Sequence, residues 1–214
     1  MAYLGEPVPT VPQLRPSTGC PDLTGSWLFT RPGRISADEP TGAVLFGRDG
    51  TLLQDVSCNG DPALVLPMAG VRTALTALRG AGLAIGVLSN QPGVARGLIA
   101  RHQVEAVQAR AEFLLGPFDV WAVCPHGPKD GCPCRMPAPG LVAATCQALS
   151  LPPARVTVIA SGGAVVAAAL AAGAHAIRVP EAPSRARVPC PPCLLTTCRA
   201  AAGPTEAADL VLRH

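Results

Sequence analysis

Apolar residues first gather into short, regularly spaced runs at residue 43. The stretches 44–46, 83–88, 120–123, 156–159 and 176–179 are almost continuously apolar, as strands buried on both faces are. Between them, the spacing predicts helices over 71–79, closed by Gly80 and Gly82, around 102–115, from Pro139 to Leu149, and over 164–172. Strands alternating with helices predict an α/β, Rossmann-like fold, a parallel sheet with helices on both faces. Such sheets bind ligands at the carboxyl ends of their strands.

The flanks look different. Residues 1–41 are rich in proline and poor in periodic apolar positions, which predicts an irregular or disordered extension. Within it, the segment from Gly25 to Thr30, with Trp27, is a candidate for local docking. The expected domain runs over 42–182, and a tail containing Cys and Pro over 183–214. One stretch imitates a membrane span, because Val156 to Ile177 carries no charge and lies between Arg155 and Arg178. Its Ala- and Gly-rich make-up, the Gly162-Gly163 break and His175 instead predict strand, turn, helix and strand.

At 214 residues and 49% hydrophobic content, one substantial core is expected. Aromatic residues make up only 3% and charged residues 14%, so that core is built from small aliphatic side chains. The net charge of +3 comes without basic clusters, which gives no footprint for nucleic acid or a membrane surface. The amino terminus lacks the pattern of a secretory signal. Nine cysteines in such a chain suggest metal binding or free thiols before disulfides, in a cytoplasmic protein.

The candidate chemistry falls at the predicted strand ends. The first motif is Gly47-Arg48-Asp49-Gly50-Thr51. The second runs Ser89-Asn90-Gln91-Pro92-Gly93-Val94-Ala95-Arg96-Gly97. Then come Cys124-Pro125-His126 and Cys132-Pro133-Cys134-Arg135-Met136-Pro137. Their order and wording, with Asn59-Gly60-Asp61-Pro62, resemble the haloacid-dehalogenase (HAD) superfamily of phosphatases. The similarity is to its zinc-containing branch, which includes D,D-heptose 1,7-bisphosphate and histidinol-phosphate phosphatases. It covers about residues 43–180 and leaves out the first forty residues and the tail.

The resemblance implies a domain without a large cap and the hydrolysis of phosphoric monoesters in carbohydrate metabolism, with Mg²⁺ and zinc as metals. In that family the first strand ends Asp-x-Asp-Gly-Thr, the first Asp being nucleophile and Mg²⁺ ligand and the second the general acid and base. Here those positions are Gly47 and Asp49. Loss of a covalent nucleophile costs on the order of 10⁴ in rate. The family assigns Ser89 to a phosphate oxygen, with Asn90, Arg96 and Arg135 near the substrate. Ser89, Asn90 and Gly93 equally suit a plain strand end followed by a turn.

Further departures follow. The family's lysine after Cys-Arg is Met136, and Lys129, the single lysine, lies in the expected zinc loop. The family's last pair of acidic residues falls at Ser161 and Val165, in a register taken from the helix ending Ala171-Ala172-Gly173. No acidic residue occurs between Asp130 and Glu181. Magnesium needs hard oxygen ligands, so Mg²⁺ is expected to bind weakly or not at all.

The metal motif is complete. Cys124, His126, Cys132 and Cys134 form Cys-x-His and Cys-x-Cys pairs among prolines and glycines, a set suited to a structural, tetrahedral zinc. The tail adds Cys190, Cys193 and Cys198, three donors for which Cys20 or His214 could supply a fourth. Cys58 and Cys146 read as isolated, the latter as core.

These residues lead to the expectation of a pseudophosphatase that binds a phosphorylated sugar, another small phosphate or a protein partner. The alternatives are an active phosphomonoesterase built on Asp49, and a metal or redox module built on the tail cysteines.

Overall fold

The computed structural model describes residues 15–16, 25–31, 40–180 and 198–213. Eight strands form one sheet: β1 (Arg15–Pro16), β2 (Trp27–Thr30), β3 (Ala43–Gly47), β4 (Ala84–Asn90), β5 (Val120–Cys124), β6 (Val156–Ala160), β7 (His175–Arg178) and β8 (Arg199–Ala200). Their order is β1-β2-β5-β4-β3-β6-β7-β8. From β5 to β8 every pairing is parallel, while β1 and β2 run antiparallel at one edge.

The helices are α1 (Val71–Gly80), α2 (Pro92–Ala95), α3 (Arg101–Leu115), α4 (Gly140–Ala148), α5 (Gly163–Ala171) and α6 (Pro204–Leu212). Side chains alternate across a strand, so each buried strand feeds two cores. Val44, Phe46 and Ile85 meet Val71, Leu75 and Leu78 of α1, Val104 and Val107 of α3, and Ala207 of α6. Ala43, Leu45 and Leu88 meet Leu141, Val142 and Cys146 of α4 and Val166 and Ala169 of α5. The loops that precede helices on the ligand side carry only short elements, a 3-10 turn at Pro62–Leu64 and α2.

Both flanks contribute more than their composition suggests. The expected irregular extension holds a strand, β2, which pairs Phe29 with Trp121 and buries Phe29 to 4% exposure. Burying one such ring contributes about 1.5–3 kcal/mol towards the ordering of this edge strand. Arg101 then covers Trp27 and Phe29, its guanidinium 5.0 and 5.3 Å from the ring centres. Arg31 donates to Glu112 at 3.3 Å, beside the Trp121 Nε1 donation to the same carboxylate at 3.0 Å.

The tail likewise returns to the domain. β8 extends the sheet beside β7, and α6 packs on α1, where Thr205 Oγ1 donates to the Gly70 carbonyl at 3.2 Å. The small residues Ala207 and Ala208 make this close approach, a signal too slight to read as a helix face in sequence. The apolar stretch 156–177 is β6, α5 and β7, and no helix among the described residues is long and apolar enough to cross a membrane.

Candidate functional site

The motif residues converge because β3, β4, β5 and β6 are parallel neighbours that end on one side of the sheet. After Gly47 the chain turns sharply, with the Leu52 N–H bonded to the Gly47 carbonyl at 3.2 Å and the Leu53 N–H to that of Arg48 at 2.9 Å. Gly50 permits the turn: its φ is 73°, and a Cβ there would lie 3.1 Å from Ser161 Oγ.

A cavity of about 260 Å³ opens at these strand ends. Gly47, Asp49, Ser89, Asn90, Arg135, Met136 and Val165 line it, together with Arg48, Thr51 and the backbone of 162–164. Asp49 is the one carboxylate among these lining residues. Arg48, 3% exposed, donates from Nε to Asp49 Oδ1 at 2.9 Å, so that charge is already paired. Gln91 Nε2 donates to Asp49 Oδ2 at 3.1 Å and to Ser89 Oγ at 2.7 Å. Gln91 belongs to the second motif, in which the sequence gives it no role. Its signal was its place between Ser89 and Pro92 at a strand end.

The positions that depart from the family pattern are absorbed into the scaffold. Ser161 accepts from Thr51 Oγ1 at 3.1 Å, and its N–H donates back to Thr51 Oγ1 at 2.8 Å. Met136 is 2% exposed and belongs to the core on the α4 and α5 side. Asn90 spends both ends of its amide on the Met136 backbone, donating to the carbonyl at 2.8 Å and accepting from the N–H at 3.2 Å. Lys129 is exposed and lines neither this cavity nor the next.

Arg96 lies apart from the other predicted ligands. It lines an adjoining cavity of about 380 Å³ with Asp55, Cys58 and Gly93, and that cavity shares Arg48, Asp49 and Asn90 with the first. Arg48 Nη1 is buried and has no hydrogen-bond partner. An unsatisfied buried donor of this kind costs about 1–3 kcal/mol, more when charged.

Cys124, His126, Cys132 and Cys134 come together with all ligand atoms within 4.8 Å of one another. Cys124 Sγ lies 3.6 Å from His126 Nδ1 and 3.7 Å from Cys132 Sγ, and Cys134 Sγ lies 3.3 and 3.5 Å from the same two atoms. A tetrahedral ion with metal–sulfur bonds of ~2.3 Å and metal–nitrogen bonds of ~2.1 Å spaces its ligands by ~3.5–3.8 Å, so the cluster fits four-coordinate binding. A hydrogen bond with Cys134 pulls the Cys124 thiol down to about 5, against its burial, and the same bond pushes Cys134 up. Arg135 Nη1 donates to the His126 carbonyl at 3.0 Å, linking this loop to the first cavity. Gly25 abuts the His126 ring, a support that only the docking of β2 creates.

Cys20, Cys190, Cys193 and His214 lie outside the described residues. Cys198 packs beside the core on the α4 and α5 side, and the Cys124 cluster is the one metal-type group found among the described residues.

No family model matches the chain. Several named proteins do. D-glycero-beta-D-manno-heptose-1,7-bisphosphate 7-phosphatase from Pseudomonas putida is 34% identical over 118 residues, 53% of this chain and 67% of that protein. The Bordetella bronchiseptica protein of the same name is 34% identical over 105 residues, 46% of this chain and 58% of its own length. Among solved structures, D,D-heptose 1,7-bisphosphate phosphatase from B. bronchiseptica, complexed with magnesium and phosphate, superposes with a TM-score of 0.69 at 24% identity. It covers 80% of this chain and 98% of its own. A HAD-like phosphatase from Mesorhizobium loti gives 0.73 at 26% identity, over 94% of this chain and 95% of its own.

Proposed function

Given that this chain belongs to the HAD family of heptose bisphosphate phosphatases, we propose that it is a member without phosphoryl-transfer activity, a pseudophosphatase that binds a phosphorylated sugar or similar small phosphate. The observation that carries this reading is Gly47, which ends β3 with no carboxylate at the point of attack. The neighbouring groups offer no replacement inside the first cavity. Asp49 is paired to Arg48, Ser161 to Thr51, and Met136 is packed into the core. A single, neutralised carboxylate is a poor Mg²⁺ site.

Binding is a different matter. Arg48, Arg135 and Ser89 line a small cavity in which charge-assisted hydrogen bonds to phosphate oxygens are favourable. Asn90 also lines the cavity, its amide held in place by Met136. Zinc is the proposed occupant of the Cys124, His126, Cys132 and Cys134 site, a closed and structural one because four protein donors leave no open position. Its binding free energy would stabilise the loop that carries Arg135.

The test is phosphate release from heptose 1,7-bisphosphate and histidinol phosphate by zinc-loaded protein, with and without Mg²⁺, alongside titration with inorganic phosphate. Saturable phosphate binding without turnover is expected. Mg²⁺-dependent turnover that disappears in Asp49→Asn would replace this reading with that of an active phosphomonoesterase.

A further inference from the structure

The first cavity is lined both by donors and by a carboxylate, and Gln91 sets the polarity of the two. Gln91 is 4% exposed, and its Nε2 donates to Asp49 Oδ2 at 3.1 Å and to Ser89 Oγ at 2.7 Å. An amide nitrogen has two hydrogens to give and accepts none, so both are spent. The orientation of the amide follows from Asp49, because a carboxylate offers acceptors alone and only the nitrogen end can face it. Ser89 Oγ is therefore the acceptor in its bond with Gln91, and its own hydrogen points elsewhere. Ser89 is 3% exposed and lines the cavity, where its O–H serves as a donor beside Arg135.

Asp49 has the opposite polarity. It lines the same cavity, and its side chain is 16% exposed, so the carboxylate can be reached. Oδ1 accepts from Arg48 Nε at 2.9 Å and Oδ2 from Gln91 Nε2. A carboxylate has about four lone-pair sites, so acceptor capacity remains after these two bonds. A bare oxygen of an incoming anion is repelled by that capacity, whereas an oxygen that carries a hydrogen is bonded by it.

We propose that this cavity selects a phosphate group that carries a proton, which is hydrogen phosphate or the monoanion of a phosphate monoester. Asp49 accepts the P–O–H hydrogen, and Ser89 donates to another oxygen of the same group. Tetrahedral anions without a hydrogen, such as sulfate, are excluded. The inference rests on the proposed phosphate-binding reading and adds the protonation state of the ligand to it. It gives Asp49 a use that needs neither a nucleophile at position 47 nor Mg²⁺.

The experiment titrates zinc-loaded, full-length protein with inorganic phosphate, sulfate and monofluorophosphate by calorimetry in mildly alkaline buffer. All three are tetrahedral dianions there, and of the three only phosphate keeps a hydrogen. Phosphate is expected to bind about tenfold or more tighter than either of the others, the scale of one hydrogen bond to a charged group. Asp49→Asn, whose amide can donate to a bare oxygen, should bring sulfate level with phosphate. Equal affinities for phosphate and sulfate in the wild type would overturn the proposal while leaving anion binding in place, and so would an unchanged preference in Asp49→Asn. Should that variant fail to fold, monofluorophosphate decides in the wild type. If it binds as tightly as phosphate, phosphorus rather than the hydrogen is recognised and the proposal is removed. A wild type that binds none of the three removes the phosphate-binding reading itself, and this one with it.

Discussion

Asn90 and Met136 hold each other through two hydrogen bonds, from Asn90 Nδ2 to the Met136 carbonyl at 2.8 Å and from the Met136 N–H to Asn90 Oδ1 at 3.2 Å. The pair fastens the end of β4 to the segment that leaves the metal loop. It therefore ties the shape of the first cavity to the metal site. Replacing Asn90 by Ala should destabilise the protein by about 1–3 kcal/mol, because two backbone groups lose a partner at once. Chemical denaturation checks this, and an unchanged midpoint would mean that the clamp is only apparent.

The metal loop should respond to its ligands and to its support. Cys132→Ser or Cys134→Ser should abolish binding of the proposed zinc and lower the melting temperature, because the binding free energy of a closed four-donor site would add to folding. Gly25→Ala should also weaken metal binding without replacing any of the four cluster residues. Gly25 has a φ of 110°, and the added Cβ would lie 2.5 Å from His126 Nε2. Metal quantification after dialysis against a mild chelator distinguishes both variants from the wild type.

Rebuilding the family's charges is tight at Gly47, where a Cβ would lie 3.3 Å from Thr51 Oγ1 and 3.4 Å from Ala160 Cβ, so Thr51 must shift by a few tenths of an ångström to admit a side chain. Met136→Lys alone should cost on the order of 3 kcal/mol, since it places an unpaired charge at a core position. Adding Gly47→Asp, Ser161→Asp and Val165→Asp should recover part of that loss, a non-additivity expected of neighbouring charges. The combined variant should gain Mg²⁺ binding, seen as about 2.7 kcal/mol of stabilisation when Mg²⁺ is a hundredfold above its Kd, and some phosphate release. A folded variant blind to Mg²⁺ would show that Ser161 and Val165 are not the positions of the lost acids.

Glu112 should make stability pH-dependent. Burial raises its carboxyl above the ordinary value of 4.5, against the lowering effect of hydrogen bonds from Trp121 and Phe118 and of the charges on Arg31 and Arg79. The folded protein thus binds this proton more tightly than the unfolded chain. The stabilising contribution is complete below 4.5 and is lost as pH rises through the elevated value. Glu112→Gln keeps an acceptor for Trp121 and has no charge to bury, so its stability curve should be flatter over that window. Parallel curves for the two proteins would remove Glu112 as the cause.

Much of the molecule was legible in one dimension. The five apolar runs from residue 44 to residue 179 mark the central strands because a parallel strand is buried on both faces and must be apolar at successive positions. The cluster of Cys124, His126, Cys132 and Cys134 was equally plain, since Cys-x-His and Cys-x-Cys place four donors within a short, proline- and glycine-rich loop. The absence of carboxylates at 47, 161 and 165 is a fact of composition that no fold can reverse.

Tertiary structure decided the rest, because those features depend on partners far away in the chain. Trp27–Thr30 becomes a strand only when β5 offers an open edge, and Pro204–Leu212 becomes a docked helix only on the surface of α1. Asn90, a candidate ligand that lines the cavity, is also a clamp through a residue 46 positions away. Arg48 and Asp49 neutralise each other, and Arg96 reaches Cys58, because side-chain direction at a strand end is set by packing in three dimensions. Sequence alone determined which charges this site lacks, and the fold determined how the remaining ones are spent.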